Sequence, residues 1–378
     1  MRRIRPPVWL TRGVGLVIFA LVVEYLVLPQ LAGARKALHL LVRVHPGYVV
    51  VGIALEVLSL CAYAALTRVV LPRTGRPSWW TLFRIDVTSL GVSHVVPGGS
   101  ATAAALRLRL LISAGVRGPD ALIGITVQGI GSAVVLNVML LIGLLVTIAI
   151  QGANLLYALG ALLGVLLLLG AGAMVFALTF GREGSVRFVR TAATHLPVVT
   201  PDMAERALRK VAEQLRILGS DRERLTAAIC WATVNWLLDA ASLWVFVLAF
   251  GHLTTPGGLL VAFGLANVVA VLPITPGGLG IVEGVLVPTL VGFGTPRGIA
   301  ILGVVSYRLV NFWLPIPASA LTYLSLRAGV LRHEHPGNRP WRLPHVLAAA
   351  RARHWFGGHV TDEPAPGELS ATDETAKE

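Results

Sequence analysis

Two short runs in this chain, Val96-Pro97-Gly98-Gly99 and Thr275-Pro276-Gly277-Gly278, interrupt apolar sequence in the same way. Proline removes a backbone donor and paired glycines free the dihedrals, so neither run continues a helix. The surroundings are apolar enough for a bilayer, with 55% hydrophobic and 13% charged residues and a mean hydropathy of +0.74. Lipid offers no partner to the N–H and C=O groups released at a break, so they must be buried in protein or line a wet cavity. The expected fold class is an all-α polytopic membrane protein, and two breaks in corresponding places suggest a transporter built from repeats.

Hydropathy predicts six full transmembrane spans: Val14 to Leu31, Tyr48 to Leu71, Ala121 to Ile150, Leu155 to Phe180, Thr226 to Phe250 and Ile299 to Leu326. Each is long enough, at about 1.5 Å per residue, to cross a core about 30 Å thick. Two further segments, Ile85 to Leu111 and Leu259 to Phe293, carry the Pro-Gly-Gly runs near their middles and read as re-entrant or broken helical hairpins. The resulting division is a basic N-terminus (1–13), a first membrane repeat with its spans (14–180), a helical amphipathic segment (181–225), a second membrane repeat (226–327) and a tail, basic then acidic and expected to be disordered (328–378). Arg2, Arg3 and Arg5 precede a run long enough to span with no small-residue cleavage site after it, so the first helix is expected to be uncleaved.

A net charge of +13 on a soluble protein would raise nucleic acid as a partner. Here the arginines collect at span ends and in loops, which points instead to topology and anionic headgroups. The positive-inside rule puts the N-terminus, the loop with Arg68, Arg73, Arg76 and Arg84, the segment 181–225 and the C-terminal tail in the cytoplasm of a plasma-membrane protein. Arg35, Lys36 and Arg43 dissent from that layout, falling outside. Trp79, Trp80, Trp231 and Trp341 read as interface belts, and Cys61 and Cys230, both in apolar runs, as buried small hydrophobes.

In this layout the order span, span, hairpin, span occurs twice with opposite orientation. Sliding the chain by 179 residues superposes the two Pro-Gly-Gly runs and adds five identities in the surrounding thirty positions, among them Gly115 with Gly294 and Ala121 with Ala300. The identities are few, and the matched order is the better argument for an inverted-topology repeat.

Ionisable residues inside apolar segments each cost roughly 2.5–3.5 kcal/mol at a helix centre, which makes them functional candidates. They are Glu24, Glu56, Asp86, His94, Arg107, Arg109, Asp239, Glu283 and Arg308. Glu283 starts the half-helix after the second break and suits a helix N-terminus; Arg308, near the middle of its span, is its natural counter-ion. That pair reads either as a fixed tie between hairpin and helix or as part of a substrate path. Arg107 and Arg109, beyond the first break, read either as phosphate contacts or as anchors snorkelling to the interface, the latter favoured for Arg109. Asp239 and Asn235 form one polar stripe suited to an interhelical hydrogen bond, and His94 reads as a hydrogen-bonded helix residue. His333 and His335 lack partner ligands at metal spacing, no P-loop or dinucleotide fingerprint is present, and no metal or cofactor is expected.

The run Leu272-Pro273-Ile274-Thr275-Pro276-Gly277-Gly278-Leu279-Gly280-Ile281-Val282-Glu283-Gly284, followed by Tyr307-Arg308-Leu309 and by Pro315 and Pro317, resembles the lysylphosphatidylglycerol synthase transmembrane region, the flippase-like membrane domain of multiple peptide resistance factors. Pro97, Gly98, Gly99 and Arg107 are similar to that family's first block. The resemblance covers about Val14 to Leu326 and implies that Pro276, Gly277, Gly278, Gly280, Glu283 and Arg308 carry function, with the first block beside them. It implies movement of an aminoacylated phospholipid between leaflets; the cytoplasmic synthase domain that makes such a lipid is not in this sequence.

The expected function is therefore a plasma-membrane lipid translocase acting on an anionic or aminoacylated phospholipid or a lipid-linked precursor, along a path of Arg107, Asp239, Glu283 and Arg308. Two other classes remain open. One is a membrane transferase using a lipid-linked donor, with Glu283 or Asp239 as base; the other is a non-transporting partner of a separately encoded synthase or glycosyltransferase.

Overall fold

The computed structural model describes residues 46–152 except 74, 97 and 98, residues 220–329 except 271–274, and positions 164–166, 169, 170 and 213. The expected spans Val14 to Leu31 and Leu155 to Phe180 fall wholly or largely outside the described residues, as do nearly all of 181–219, the tail, Glu24, Pro97 and Gly98.

Among the described residues there is no strand, and nine α-helices follow one another. They are α1 (Pro46–Val70), α2 (Trp79–Val95), α3 (Gly99–Ser113), α4 (Gly118–Gln151), α5 (Arg222–Leu248), α6 (Pro256–Ala270), α7 (Ile281–Gly292), α8 (Arg297–Arg308) and α9 (Pro315–Ala328). A 3-10 turn at Pro276–Gly278 precedes α7, and a π turn at Leu309–Trp313 joins α8 to α9. Among the described residues four runs are long and apolar enough to cross a bilayer: Pro46–Val70, Gly118–Ile150, Arg222–Leu248 and Arg297–Ala328. They coincide with four of the six expected spans.

Each Pro-Gly-Gly run separates two helices that fold back on one another, α2 on α3 and α6 on α7. The first hairpin begins six residues before the expected Ile85, because Ser78 caps α2: its Oγ accepts from the Thr81 N–H at 3.2 Å. Arg84 and the tryptophans of this first turn, which read as loop and belt, are helical.

Helices in a bilayer gain little from hiding apolar surface, so contact rests on small residues and interhelical hydrogen bonds, worth about 0.6 kcal/mol each on average. Both devices join α1 to α5. Asn235 Nδ2 donates to Ser59 O and Oγ at 3.1 and 2.8 Å, and Ser242 Oγ donates to Gly52 O at 3.1 Å. The pairings 52 with 242 and 59 with 235 make these helices antiparallel. Each hairpin's first arm also packs on the long helical run of the other half. On α2, Arg84 reaches Ser325, Thr88 meets Thr322, and Gly91 lets Ser319 of α9 come close; on the other side α6 packs along α4.

Adding 179 to the boundaries of α1 to α4 gives 225–249, 258–274, 278–292 and 297–330. The observed elements are 222–248, 256–270, 281–292 and the run 297–328. The turn after each hairpin repeats as well: Gly115 N–H to Ile112 O and Val116 N–H to Leu111 O, against Gly294 N–H to Val291 O and Thr295 N–H to Leu290 O, all at 3.0 Å. This agreement is far closer than the five sequence identities.

Large apolar side chains point outward along these helices, Leu145, Ile150 and Leu321 each being more than 65% exposed. The same geometry corrects the expectation for the cysteines, which are both free thiols. Cys61 is half-buried and Cys230 exposed. In a membrane helix apolar sequence marks the lipid-facing side as readily as the interior, so hydropathy alone did not place them.

Candidate functional site

The second break closes on itself through charge. Gly277, Gly278 and Gly280 have φ of +55°, +68° and +82°, a region glycine enters without steric cost. At Gly277 a Cβ would also run into the Phe312 ring and meet His94 at 2.8 Å. This backbone path leaves the Gly277 carbonyl and the Gly280 N–H without helical partners. Arg308 Nη2 donates to Gly277 O at 3.2 Å, and Gly280 N–H donates to Glu283 Oε2 at 2.6 Å. Glu283, at the third position of α7, takes the Arg308 Nε–H on its other oxygen at 2.6 Å. Carbonyl, guanidinium, carboxylate and amide thus form one ring that satisfies the helix break at membrane depth. The Arg308 side chain is 8% exposed and that of Glu283 27%, so the pair is open from the Glu283 side.

The π turn sets the other side of the site. Pro315 has no N–H for the helical bond to Asn311, and Leu314 N–H reaches back five residues to Leu309 O at 3.2 Å. Val310 and Phe312 of the turn are buried. Arg308 lies 4.7 Å from the centroid of the Phe312 ring, which stacks at 4.5 Å on His94 of the first hairpin. His94 Nδ1 donates to Phe312 O at 3.0 Å, a carbonyl being an acceptor only. Asn311 Nδ2 donates to Glu56 Oε1 at 2.7 Å and Asp239 Oδ1 at 3.2 Å, and Tyr307 O–H donates to the same Asp239 oxygen at 2.7 Å. One segment of six residues therefore gathers α1, α2, α5 and α7 through Tyr307, Arg308, Asn311 and Phe312.

Arg107 is placed differently. Its Nε lies 2.8 Å from Asp86 Oδ1, while its terminal nitrogens donate to Tyr63 Oη, Thr67 Oγ1 and Gln128 Oε1 at 3.1, 2.8 and 2.8 Å. Thr67 Oγ1 in turn donates to Asp86 Oδ2 at 2.8 Å. Arg107 is 7% exposed, so the alternative of an anchor snorkelling to the interface does not describe it; the partner that keeps it inside is Asp86, on the other arm of its own hairpin. Arg109, two residues on, faces outward and is exposed.

Residues 13–319 match the family described as the lysylphosphatidylglycerol synthase TM region. The chain belongs to that family. It is similar over shorter stretches to a UPF0104 membrane protein of Methanothermobacter thermautotrophicus, 31% identical over 101 residues, 27% of this chain and 30% of the relative. It is also similar to the inner membrane protein YbhN of Escherichia coli, 26% identical over 97 residues, 26% of this chain and 30% of the relative. The matched stretches thus span about a third of the curated relatives' length. Multi-pass membrane localisation follows from the family together with the apolar helices.

In this family member, the structure brings together Glu283, Arg308, Gly277 and Gly280, and beside them Asp239. It leaves Gly99 and Arg107 in the first hairpin, Gly99 close against the Ser93 backbone and Arg107 tied to Asp86 and its neighbours. Among the described residues no group of three or more His, Cys, Asp and Glu side chains is arranged to hold a metal. Asn311 was missed by the sequence reading, since a neutral amide inside an apolar span is not an ionisable residue. Its signal was Pro315 four residues later, within a span expected to be continuous.

Proposed function

We propose that this protein is a plasma-membrane lipid translocase that moves an anionic or aminoacylated phospholipid, or a lipid-linked precursor, between leaflets. One observation carries the proposal: the buried guanidinium of Arg308 is balanced by a carboxylate that is partly open, at a helix break whose backbone groups depend on both. A headgroup phosphate diester is the kind of anion that replaces Glu283 on such a guanidinium, by a charge-assisted, bidentate contact. Glu283 then alternates between Arg308 and the Gly280 amide alone, while the acyl chains stay in the bilayer. Arg107, enclosed by four side chains, holds the first hairpin against α1 and α4, and Asp239 with Asn311 supports the π turn from which Arg308 projects.

The proposal takes the two halves as an inverted repeat, completed to six spans by the two segments outside the described residues. The common offset of 179 residues and the cross-packing of α2 on α9 and α6 on α4 support it. Arg68, Arg84, Arg224 and Arg327 lie near one end of the α1, α2, α5 and α9 group, which supports a cytoplasmic assignment for that end and for both termini. No bond-making step, metal or cofactor is part of the proposal: Glu283 has both oxygens engaged and Asp239 accepts from two donors, which leaves neither poised as a base.

The test is dithionite quenching of labelled phospholipids in proteoliposomes. Wild type is expected to scramble lipid well above empty liposomes, and Arg308→Ala to fall to the empty rate. A wild-type rate equal to that of empty liposomes would reject translocation of these lipids and favour a partner of a separately encoded synthase or glycosyltransferase.

A further inference from the structure

A cleft of about 650 Å³ runs between α1 and α5, away from the Arg308 site. Its walls are apolar, with Leu58 and Ala65 on α1 facing Val234 and Leu238 on α5. From Leu58 to Arg68 is ten residues of helix, about 15 Å, the depth of one leaflet's hydrocarbon. Arg68 and Arg76 stand at the far end with Trp79, and Trp231 lines the wall of α5. An indole ring beside the arginines sits where acyl chains give way to headgroups.

Guanidiniums cluster at this end. Arg76 Nη1 donates to Arg68 O at 2.7 Å, and Arg224 Nη2 donates to Val69 O at 3.0 Å. Both bonds fix guanidiniums against the carboxyl end of α1, where a helix favours cations. The charges acting on Arg76 are Arg68, Arg224 and Arg73, all of one sign. Among the described residues no carboxylate forms an ion pair with any of the four. Asp221, an acidic group near Arg224, caps α5, its Oδ1 accepting from the Arg224 backbone N–H at 3.1 Å.

We propose that this cleft is a binding site for an acidic phospholipid, one acyl chain lying between α1 and α5 and the phosphate diester held by Arg68 and Arg76. An apolar slot open to lipid, ending in a guanidinium cluster that no carboxylate among the described residues pairs with, complements a headgroup of net negative charge. The four arginines disfavour the cations of choline and aminoacyl headgroups. As the place where substrate is loaded, the cleft rests on the translocase reading; as a lipid site it does not.

The experiment is native mass spectrometry of the full chain released from micelles doped equally with phosphatidylglycerol and phosphatidylcholine. Wild type should retain phosphatidylglycerol preferentially. The double variant Arg68→Glu/Arg76→Glu should lose roughly tenfold or more of that retention, as removal of charge-assisted bonds implies. Ala65→Trp, which fills the slot with every charge in place, should lose as much, and Leu238→Trp serves if Ala65→Trp elutes as aggregate. Arg109→Glu, a charge change elsewhere, should retain lipid as wild type does. Equal retention of the two lipids, or wild-type retention by the folded slot-filled variant, would overturn the site and leave only surface attraction. Scrambling measured on the same proteins separates the readings. Scrambling without retention in the double variant would remove the loading role and leave translocation standing. Retention without scrambling in wild type would do the reverse.

Discussion

Each broken hairpin holds a carboxylate paired with an arginine, which comes from the hairpin's own second arm in the first and from α8 in the second, and the two pairs live in opposite surroundings. Asp86 and Arg107 are 3% and 8% exposed at the side chain, and every other contact of the pair is a fixed side chain of α1 or α4. Glu283 is 27% exposed, and the pair it forms with Arg308 leans on backbone groups freed by a turn. An ion pair that is sealed and held by hydrogen bonds to α1 and α4 fixes two arms of a hairpin; one that is open on the acid side and coupled to a helix break has room for exchange. The pairs are not related by the 179-residue offset, which carries Arg107 to Leu286 and Arg308 back to Gly129. The halves share a framework and differ in where the charge was placed within it.

The largest expected effect breaks the sealed pair. Asp86→Ala leaves the Arg107 guanidinium buried without its counter-ion, at a cost of about 3–5 kcal/mol. Thermal unfolding in detergent should show a large loss, and the double variant Asp86→Leu/Arg107→Met should recover most of it. Failure to recover would mean that the pair does more than fill space and balance charge.

Next come the glycines of the second break. Gly277→Ala combines a left-handed backbone with contact against Phe312 and His94, and should lose about 2–4 kcal/mol. Gly280→Ala has open space around it and only the backbone term, about 1 kcal/mol. Equal losses in the same unfolding assay would contradict the close approach of the turn to the π segment.

A smaller effect on stability is expected in the open pair. Glu283→Gln keeps the shape and weakens two charge-assisted hydrogen bonds, about 1–2 kcal/mol. Arg109→Gln, on an exposed face, should stay within about 0.5 kcal/mol of wild type. If Glu283→Gln proved as damaging to folding as Asp86→Ala, the two pairs would be alike and the contrast would fall.

The breaks were legible in the sequence because Pro-Gly-Gly has a fixed backbone meaning, and Glu283 and Arg308 because charge is rare in apolar runs. The four long helices followed from hydropathy. The Asp86–Arg107 pairing was not legible: both residues were singled out, yet their meeting depends on how sharply α3 folds back on α2. Asn311 and the π turn depend on a register change caused by Pro315, which a hydropathy window averages away. Cys230 shows the remaining difficulty, since in a bilayer apolar sequence does not tell inside from outside.

The most direct measurement compares lipid scrambling per folded protein for Glu283→Gln and Asp86→Asn in proteoliposomes. The account predicts a loss of about tenfold or more in Glu283→Gln, equivalent to removing about 1.4 kcal/mol of favourable interaction along the path, with Asp86→Asn scrambling at the wild-type rate for whatever fraction folds. Loss of scrambling in folded Asp86→Asn together with a wild-type rate in Glu283→Gln would contradict it.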